Sequence, residues 1–360
     1  MDARDSRELG TGDLEEFRSA GHALVDAIAD HLAALPGQAV WQPVPDDLRA
    51  QILSLPLPDG PTAMGSLAEV MARDVLPYPM GNGHPAFFGW VNPPPSLSGV
   101  LASLTAAAMN PSVVSGDHAD VHVERTVVRW LGELVGYPHT PGGGLLTSGA
   151  SAATIVCVAG ARSRAAAAAG YDVRRDGLRG GPRLLCYVPS EAHSCVARAI
   201  ELLGLGRESI RPVPIHDGRL DQRALQSAIA ADRAAGGTPA LLVGSAGTVN
   251  TGAIDPLEAL AEVAAAEGLW FHVDGAYGAF GVLDPAIAAR TAAWRARTRS
   301  CSTHTNGSAF RSTRAARSSN TPMIYGRHSA SSRRISARTP GRRWAPSPST
   351  ARSRRGRFAR

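Results

Sequence analysis

Between Gly142 and Asp274 short apolar runs alternate with helical patterns, and this alternation constrains the fold more than any other feature of the chain. Residues 184–188, 240–245 and 269–273 are apolar enough to be strands buried on both faces. The stretches 152–169, 192–203 and 256–266 carry helical patterns between them. A strand that leads into a helix returns to its sheet in parallel, so the expectation is an α/β domain with a mostly parallel sheet. Such sheets bind ligands beyond the C-terminal ends of their strands. The residues just after each apolar run are therefore the ones to read for chemistry.

The first third is organised differently. Asp13 can cap a helix with Glu16 three residues on, as in a capping box, and Leu14, Phe17, Leu24, Val25, Ile28 and Leu32 recur at helical spacing. A Pro-rich connector covers 36–61, and a second short helix is expected over 64–75. The segment 84–95 puts Phe87, Phe88 and Trp90 before three prolines, which makes either a packed loop or the wall of a pocket. Helices are expected over 96–109 and 120–135.

Four loops carry candidate chemistry. Ser148, Gly149, Ala150 and Ser151 lie where a turn enters a helix; small residues let backbone N–H groups approach an anion, and such a turn is equally a plain helix cap. His193 follows the run 184–188, and Thr248 follows 240–245 in a segment ending at Asp255-Pro256. Asp274 closes the run 269–273 and is followed by Gly275, Ala276, Tyr277 and Gly278. Alone, Asp274 reads as a strand-end acid that caps a turn or pairs with an arginine. Together the loops offer a phosphate nest, a flat imidazole, a hydroxyl and a carboxylate, the set required by pyridoxal phosphate.

These motifs, in this order, resemble the pyridoxal-phosphate-dependent group II amino acid decarboxylases, over about residues 10–290. The resemblance rests on Thr147 to Ser151, Glu191-Ala192-His193-Ser194, Gly247-Thr248 through Asp255-Pro256, and His272 to Tyr277. It implies a fold-type-I, transferase-like large domain and a homodimer interlocked by N-terminal helices. It also implies roles by position. Gly149, Ala150 and Ser151 would hold the phosphate, His193 would stack on the ring, and Thr248 would lie beside the cofactor. Asp274 would pair with the ring nitrogen, Ala276 would pack on the opposite ring face, and Trp90 would line the pocket of an L-amino acid substrate, with an aromatic one expected. The activity implied is release of CO2 and an amine; the alternatives are another fold-type-I activity, such as an aminotransferase or desulfurase, and an inactive, non-catalytic remnant. Two residues depart from the pattern: Ala152 stands for a common acid and Val249 for a second threonine. The organisation implied is an N-terminal helical arm over 1–75, a cofactor domain over 76–290 and a tail from 291.

A larger departure is that all 37 basic Lys-plus-Arg residues are arginine, so the chain has no lysine. The family holds its cofactor through a lysine about thirty residues beyond the HVD motif. Residues 1–290 hold 20 Arg and all 31 acids, whereas 291–360 hold 17 Arg and no acid. From about Thr291 the strand/helix pattern stops and a disordered tail is expected. Residues 301–310 can be encoded so that the shifted frame reads Leu-Asp-Pro-His-Lys-Trp-Leu-Gly, the family's lysine motif. Residues 294–301 and 323–336 become protein-like in the same frame. A frameshift near Arg290 accounts for the tail better than a basic nucleic-acid-binding arm, which has no recognisable motif or aromatic interleaving here. No run of eighteen apolar residues is present and the N-terminus lacks a signal segment, so neither a membrane span nor secretion is expected. Cys157, Cys186, Cys195 and Cys301 form no CxxC pair, which speaks against a zinc site and for a reduced, cytoplasmic setting.

Overall fold

The computed structural model describes residues 14–89, 92–111, 117–136, 143–291, 300–305 and 308–313. Two units divide the chain, Met1–His122 and Val123–Arg360. The first is helical: α1 Leu14–Ala34, α2 Asp46–Leu53, α3 Met64–Val70 continuing as a π turn Met71–Val75, and α4 Leu97–Met109. A fifth helix, α5 Ala119–Val135, crosses the division. Helix α2 lies inside the stretch expected to be a Pro-rich connector; Pro45 precedes it and Asp46 and Asp47 fill its first turn, where carboxylates favour the helix dipole. The carboxylate of Glu16 accepts hydrogen bonds from Met64 N–H at 2.6 Å and Gly65 N–H at 3.4 Å. It thus satisfies the open amides of α3; Asp13, its expected capping-box partner, lies outside the described residues. Helix α4 starts at Ser96, whose Oγ accepts from Gly99 N–H, and ends at Asn110 with φ 39°, a left-handed cap.

The second unit is the expected α/β layer structure. Its elements are β1 Gly144–Leu146, α6 Ala150–Ala168, the short α7 Val173–Asp176, β2 Leu184–Pro189, α8 Ser194–Leu202 and β3 Ile210–Val213. The hairpin β4 Ile215–His216 and β5 Arg219–Leu220 follows. Then come α9 Gln222–Ala234, β6 Thr238–Ser245, α10 Leu257–Glu267, β7 Trp270–Asp274, α11 Pro285–Thr291, β8 Ser300–Thr305 and β9 Ser308–Thr313. The seven-stranded sheet has the order β1-β9-β8-β7-β6-β2-β3. The pairs β3–β2, β2–β6, β6–β7 and β7–β8 are parallel, and β8–β9 and β9–β1 are antiparallel.

The core follows from strand alternation. On one face Leu185, Tyr187, Leu242, Phe271 and Val273 pack with Leu225 and Ile229 of α9 and with Leu257 and Leu260 of α10. On the other, Cys186, Val188, Leu241, Val243 and Trp270 pack with Val158 of α6 and with Val196 and Ile200 of α8. Helices on both faces explain why β2 and β6 are almost wholly buried and read as unbroken apolar runs. Pro212 is tolerated because β3 is an edge strand. Near Pro239 the β2–β6 register shifts by one residue between Leu185 and Cys186, the signature of a bulge.

Two strands lie beyond Thr291, where the sequence pattern had ended. Strand β8 pairs with β7 through Phe271↔Cys301 to Asp274↔His304. It also pairs antiparallel with β9, from Ser300↔Thr313 to Thr305↔Ser308. Among the described residues no helix is long and apolar enough to cross a membrane.

Candidate functional site

The strand order creates a switch point between β2 and β6. From β2 the chain leaves through α8 to β3 on one side; from β6 it leaves through α10 to β7 on the other. The β2–β6 pairing ends at Tyr187↔Leu242, while β2 continues beside β3 to Pro189↔Val213 and β6 beside β7 to Ser245↔Asp274. The two strands therefore part before their C-terminal ends, which opens the crevice where open α/β sheets place ligands.

His193 stands at the β2 side of this crevice as the N-cap of α8. Its Nδ1 accepts the Cys195 N–H at 3.2 Å, so the neutral ring carries its proton on Nε2. The residue is exposed, held by one edge with its ring accessible. Asp274, at the end of β7, is half-buried; its Oδ1 accepts from Ala276 N–H at 3.1 Å, and its carbonyl accepts from Ala246 N–H at 2.8 Å. Ala276 is half-buried in the turn that follows.

The anion turn sits at the start of α6. Gly149 is the N-cap and contributes no side-chain hydrogen bond to the helix's first amides, and a Cβ built on it would meet nothing within 4 Å. Ser151 is exposed in the first turn. One turn further along, Thr154 Oγ1 contacts Cys195 Sγ at 3.6 Å, which joins the starts of α6 and α8. Burial raises the Cys195 thiol, the Thr154 hydrogen bond lowers it and the Asp274 charge raises it further. The start of α6, the start of α8 and the end of β7 thus converge around one buried thiol.

Thr248 is placed differently from the other candidates. It is only 4% exposed, and its hydroxyl is spent inside its own loop, bonded to Thr251 Oγ1 at 2.7 Å and accepting from Ala253 N–H at 3.2 Å. It shapes the loop at least as much as it faces the crevice. Trp90 lies outside the described residues.

Three further residues support the site. Asp255, 3% exposed, accepts from Leu220 N–H and Ser245 N–H, both at 2.8 Å, one on each carboxylate oxygen. With the Ala246↔Ile254 bridge it closes the loop that carries Thr248. Gly278 brings the turn after Asp274 against that loop: a Cβ there would lie 2.1 Å from Ala246 O. Tyr277 covers Gly247, whose φ of +104° and close ring contact both exclude a side chain. Asp255, Tyr277 and Gly278 stand within or beside the sequence motifs, yet nothing in the sequence says which backbone amides or carbonyls they meet.

Chemically, the crevice offers open helix-start amides with a serine for an anion, an accessible imidazole face for a flat ring, and a carboxylate for a protonated ring nitrogen. A flat, phosphate-bearing, N-protonated heteroaromatic fits that donor set.

Comparison with known proteins agrees. The pyridoxal-dependent decarboxylase conserved domain matches residues 45–309. An aromatic-L-amino-acid decarboxylase of Bacillus atrophaeus is 30% identical over 273 residues, covering 75% of this chain and 54% of that protein. An acidic amino acid decarboxylase of Mus musculus is 31% identical over 241 residues, covering 66% and 42%. The crystal structure of Oryza sativa TDC with PLP and tryptamine superposes with a TM-score of 0.74 at 25% identity, covering 83% of this chain and 67% of that one. The chain spans about half the length of the curated relatives it matches.

Proposed function

This chain belongs to the pyridoxal-dependent decarboxylase family, and from that premise we propose that the crevice between β2 and β6 binds pyridoxal 5'-phosphate in an amino acid decarboxylase. The supporting observation is the convergence of α6, α8 and β7 at the switch point. When bound, the cofactor supplies an electron sink that lets the bond between Cα and the carboxylate break. The chain's own residues do the holding. Amides of Gly149, Ala150 and Ser151 bind the phosphate, and the His193 ring stacks on the cofactor face. Asp274 keeps the ring nitrogen protonated, and Ala276 closes the far face. Thr248 sets the floor of the crevice from within its loop. The substrate is an L-amino acid, and an aromatic one is read from the sequence run Phe87, Phe88 and Trp90 alone. The relatives act on both aromatic and acidic amino acids by name, so a substrate panel reading CO2 from the protein with its reading frame restored decides between them, and keto acid in place of CO2 and amine would indicate an aminotransferase.

The chain as it stands holds the cofactor without turning it over, because it has no lysine to anchor it covalently. The Arg-rich stretch from about 291 is an out-of-frame reading of a segment that carries that lysine. Sequencing the gene across codons 285–310 tests this: an intact frame whose codons cannot yield the lysine motif overturns it. The intact protein is a cytoplasmic homodimer with residues 1–75 as its arm. Support comes from α1, which buries no residue and exposes Leu14, Phe17 and Val25. Titration of the purified chain with pyridoxamine 5'-phosphate, which needs no lysine, tests the cofactor site directly.

A further inference from the structure

Two loops of the crevice are joined by a side-chain bond that no motif assigns. Asn250 Nδ2 donates to Glu191 Oε2 at 2.9 Å, across 59 residues of sequence. Glu191 stands two residues before His193, in the loop after β2. Asn250 stands two residues after Thr248, in the loop after β6. The bond therefore spans the gap that opens once the β2–β6 pairing has ended at Tyr187↔Leu242. Past that point each strand answers to a different neighbour, β3 or β7, and backbone pairing no longer fixes the distance between the two loops.

Each loop is well tied on its own side of the gap, the first also to the end of β3. Ser190 N–H bonds Val213 O, and Ala192 N–H bonds Pro189 O. Thr248 N–H bonds Ala253 O, and Gly252 N–H bonds Thr248 O. Each is thus a small rigid body, and a single bond between two rigid bodies sets their separation more effectively than a bond between floppy ones.

We infer that Glu191 and Asn250 form a latch that holds the two walls of the crevice at cofactor spacing, as positioning residues for His193 and the Thr248 loop. The role in affinity rests on the cofactor reading above; the link between loops does not. A carboxylate accepting from a neutral amide is the stronger class of neutral-to-charged hydrogen bond, and its partial exposure lowers its worth to that of an ordinary one.

The test uses the full 360-residue chain with two readouts. In the first, pyridoxamine 5'-phosphate is titrated by tryptophan fluorescence. Asn250→Ala and Glu191→Ala each weaken binding about fivefold, the double variant weakens it no further, and Glu191→Gln, whose amide oxygen still accepts, stays within about twofold. In the second, hydrogen exchange is followed by mass spectrometry without ligand. Asn250→Ala speeds exchange over 190–195 as well as in its own loop, because the walls no longer brace each other. Unchanged exchange over 190–195 overturns the latch. Unchanged affinity in the single variants, or additive losses in the double, overturns its role in positioning. Failure of the unaltered chain to bind the probe overturns the cofactor reading and the affinity role with it, while the exchange result still decides the link.

Discussion

Asp255 is the most heavily committed side chain near the crevice, and its removal tests how the Thr248 loop is held. Its two oxygens serve two separate segments, Leu220 of the β4–β5 hairpin and Ser245 at the end of β6, each at 2.8 Å, with 3% of the residue exposed. Alanine there would leave two buried backbone N–H groups without acceptors, at about 1–3 kcal/mol each, so the Ala variant should lose roughly 2–6 kcal/mol. Asparagine keeps one acceptor and turns an NH2 towards the other amide. It should lose roughly 1–3 kcal/mol, less whatever is recovered by not burying a charge. Against a domain stability of about 5–15 kcal/mol these are large changes. The order Ala worse than Asn is the signature of a dual acceptor. Burial raises the Asp255 carboxyl above its usual 3.8, against the pull of its two amide donors. The folded chain therefore takes up a proton at higher pH than the unfolded chain does. As pH falls through the raised value towards 3.8, the wild type should gain stability relative to Asp255→Asn, and above that window their difference should be flat. Urea midpoints by circular dichroism at several pH values measure all of this. An Ala variant within about 0.5 kcal/mol of wild type would refute the clamp, and so would an Asn variant worse than Ala.

Other outcomes follow from the same geometry. Gly278→Ala puts a Cβ 2.1 Å from Ala246 O, a backbone atom that cannot swing away. It should destabilise by about 2 kcal/mol or more, read as a lowered thermal midpoint, whereas Gly149→Ala, with nothing within 4 Å, should be tolerated. Asp274→Ala should weaken pyridoxamine 5'-phosphate at least about tenfold, because a charged ring nitrogen loses its partner; equal affinity would remove Asp274 from the site. Burial pushes the Cys186 thiol up to about 12, so iodoacetamide at pH 8 should leave it unmodified in the folded chain and label it in urea; rapid native labelling would show that the strand is open.

The parallel sheet was legible because its strands are buried on both faces, so their apolar runs need no partner to be recognised. The site was legible where chemistry is local: Gly149 before a helix, His193 after a strand, Asp274 at a strand end. What escaped was everything that depends on a meeting of distant segments. Glu16 was read as capping its own helix with Asp13, which lies outside the described residues; that it accepts from Met64 N–H, 48 residues on, only the fold reveals. The resemblance implied a place for Thr248 beside the cofactor, but nothing in the sequence shows that its hydroxyl bonds Thr251 Oγ1 and Ala253 N–H within its own loop. The hairpin β4–β5 and the edge strand β3 are short and half-exposed, too brief to imprint a period on the sequence. The strand order that makes β2–β6 the switch point is written in no local pattern at all.

The tail sharpens the distinction between backbone and side-chain requirements. Parallel pairing beside β7 asks only for six residues able to extend, and Ser300–Thr305, rich in Ser and Thr, meets that demand. Strand β9 then pairs antiparallel with both β8 and β1. Backbone demands of the sheet can be met by many sequences. The demands of catalysis cannot, since they require one amine at one place, and no arginine substitutes: the guanidinium stays protonated and offers no nucleophilic nitrogen. Binding and turnover should therefore separate in this chain. The residues proposed to hold phosphate, ring and ring nitrogen all lie before Thr291, and on that proposal they should retain pyridoxamine 5'-phosphate. Borohydride reduction in the presence of pyridoxal 5'-phosphate should fix no cofactor to any side chain. Stable labelling at an internal residue would mean that another nucleophile has taken the lysine's place, and would undo the separation argued here.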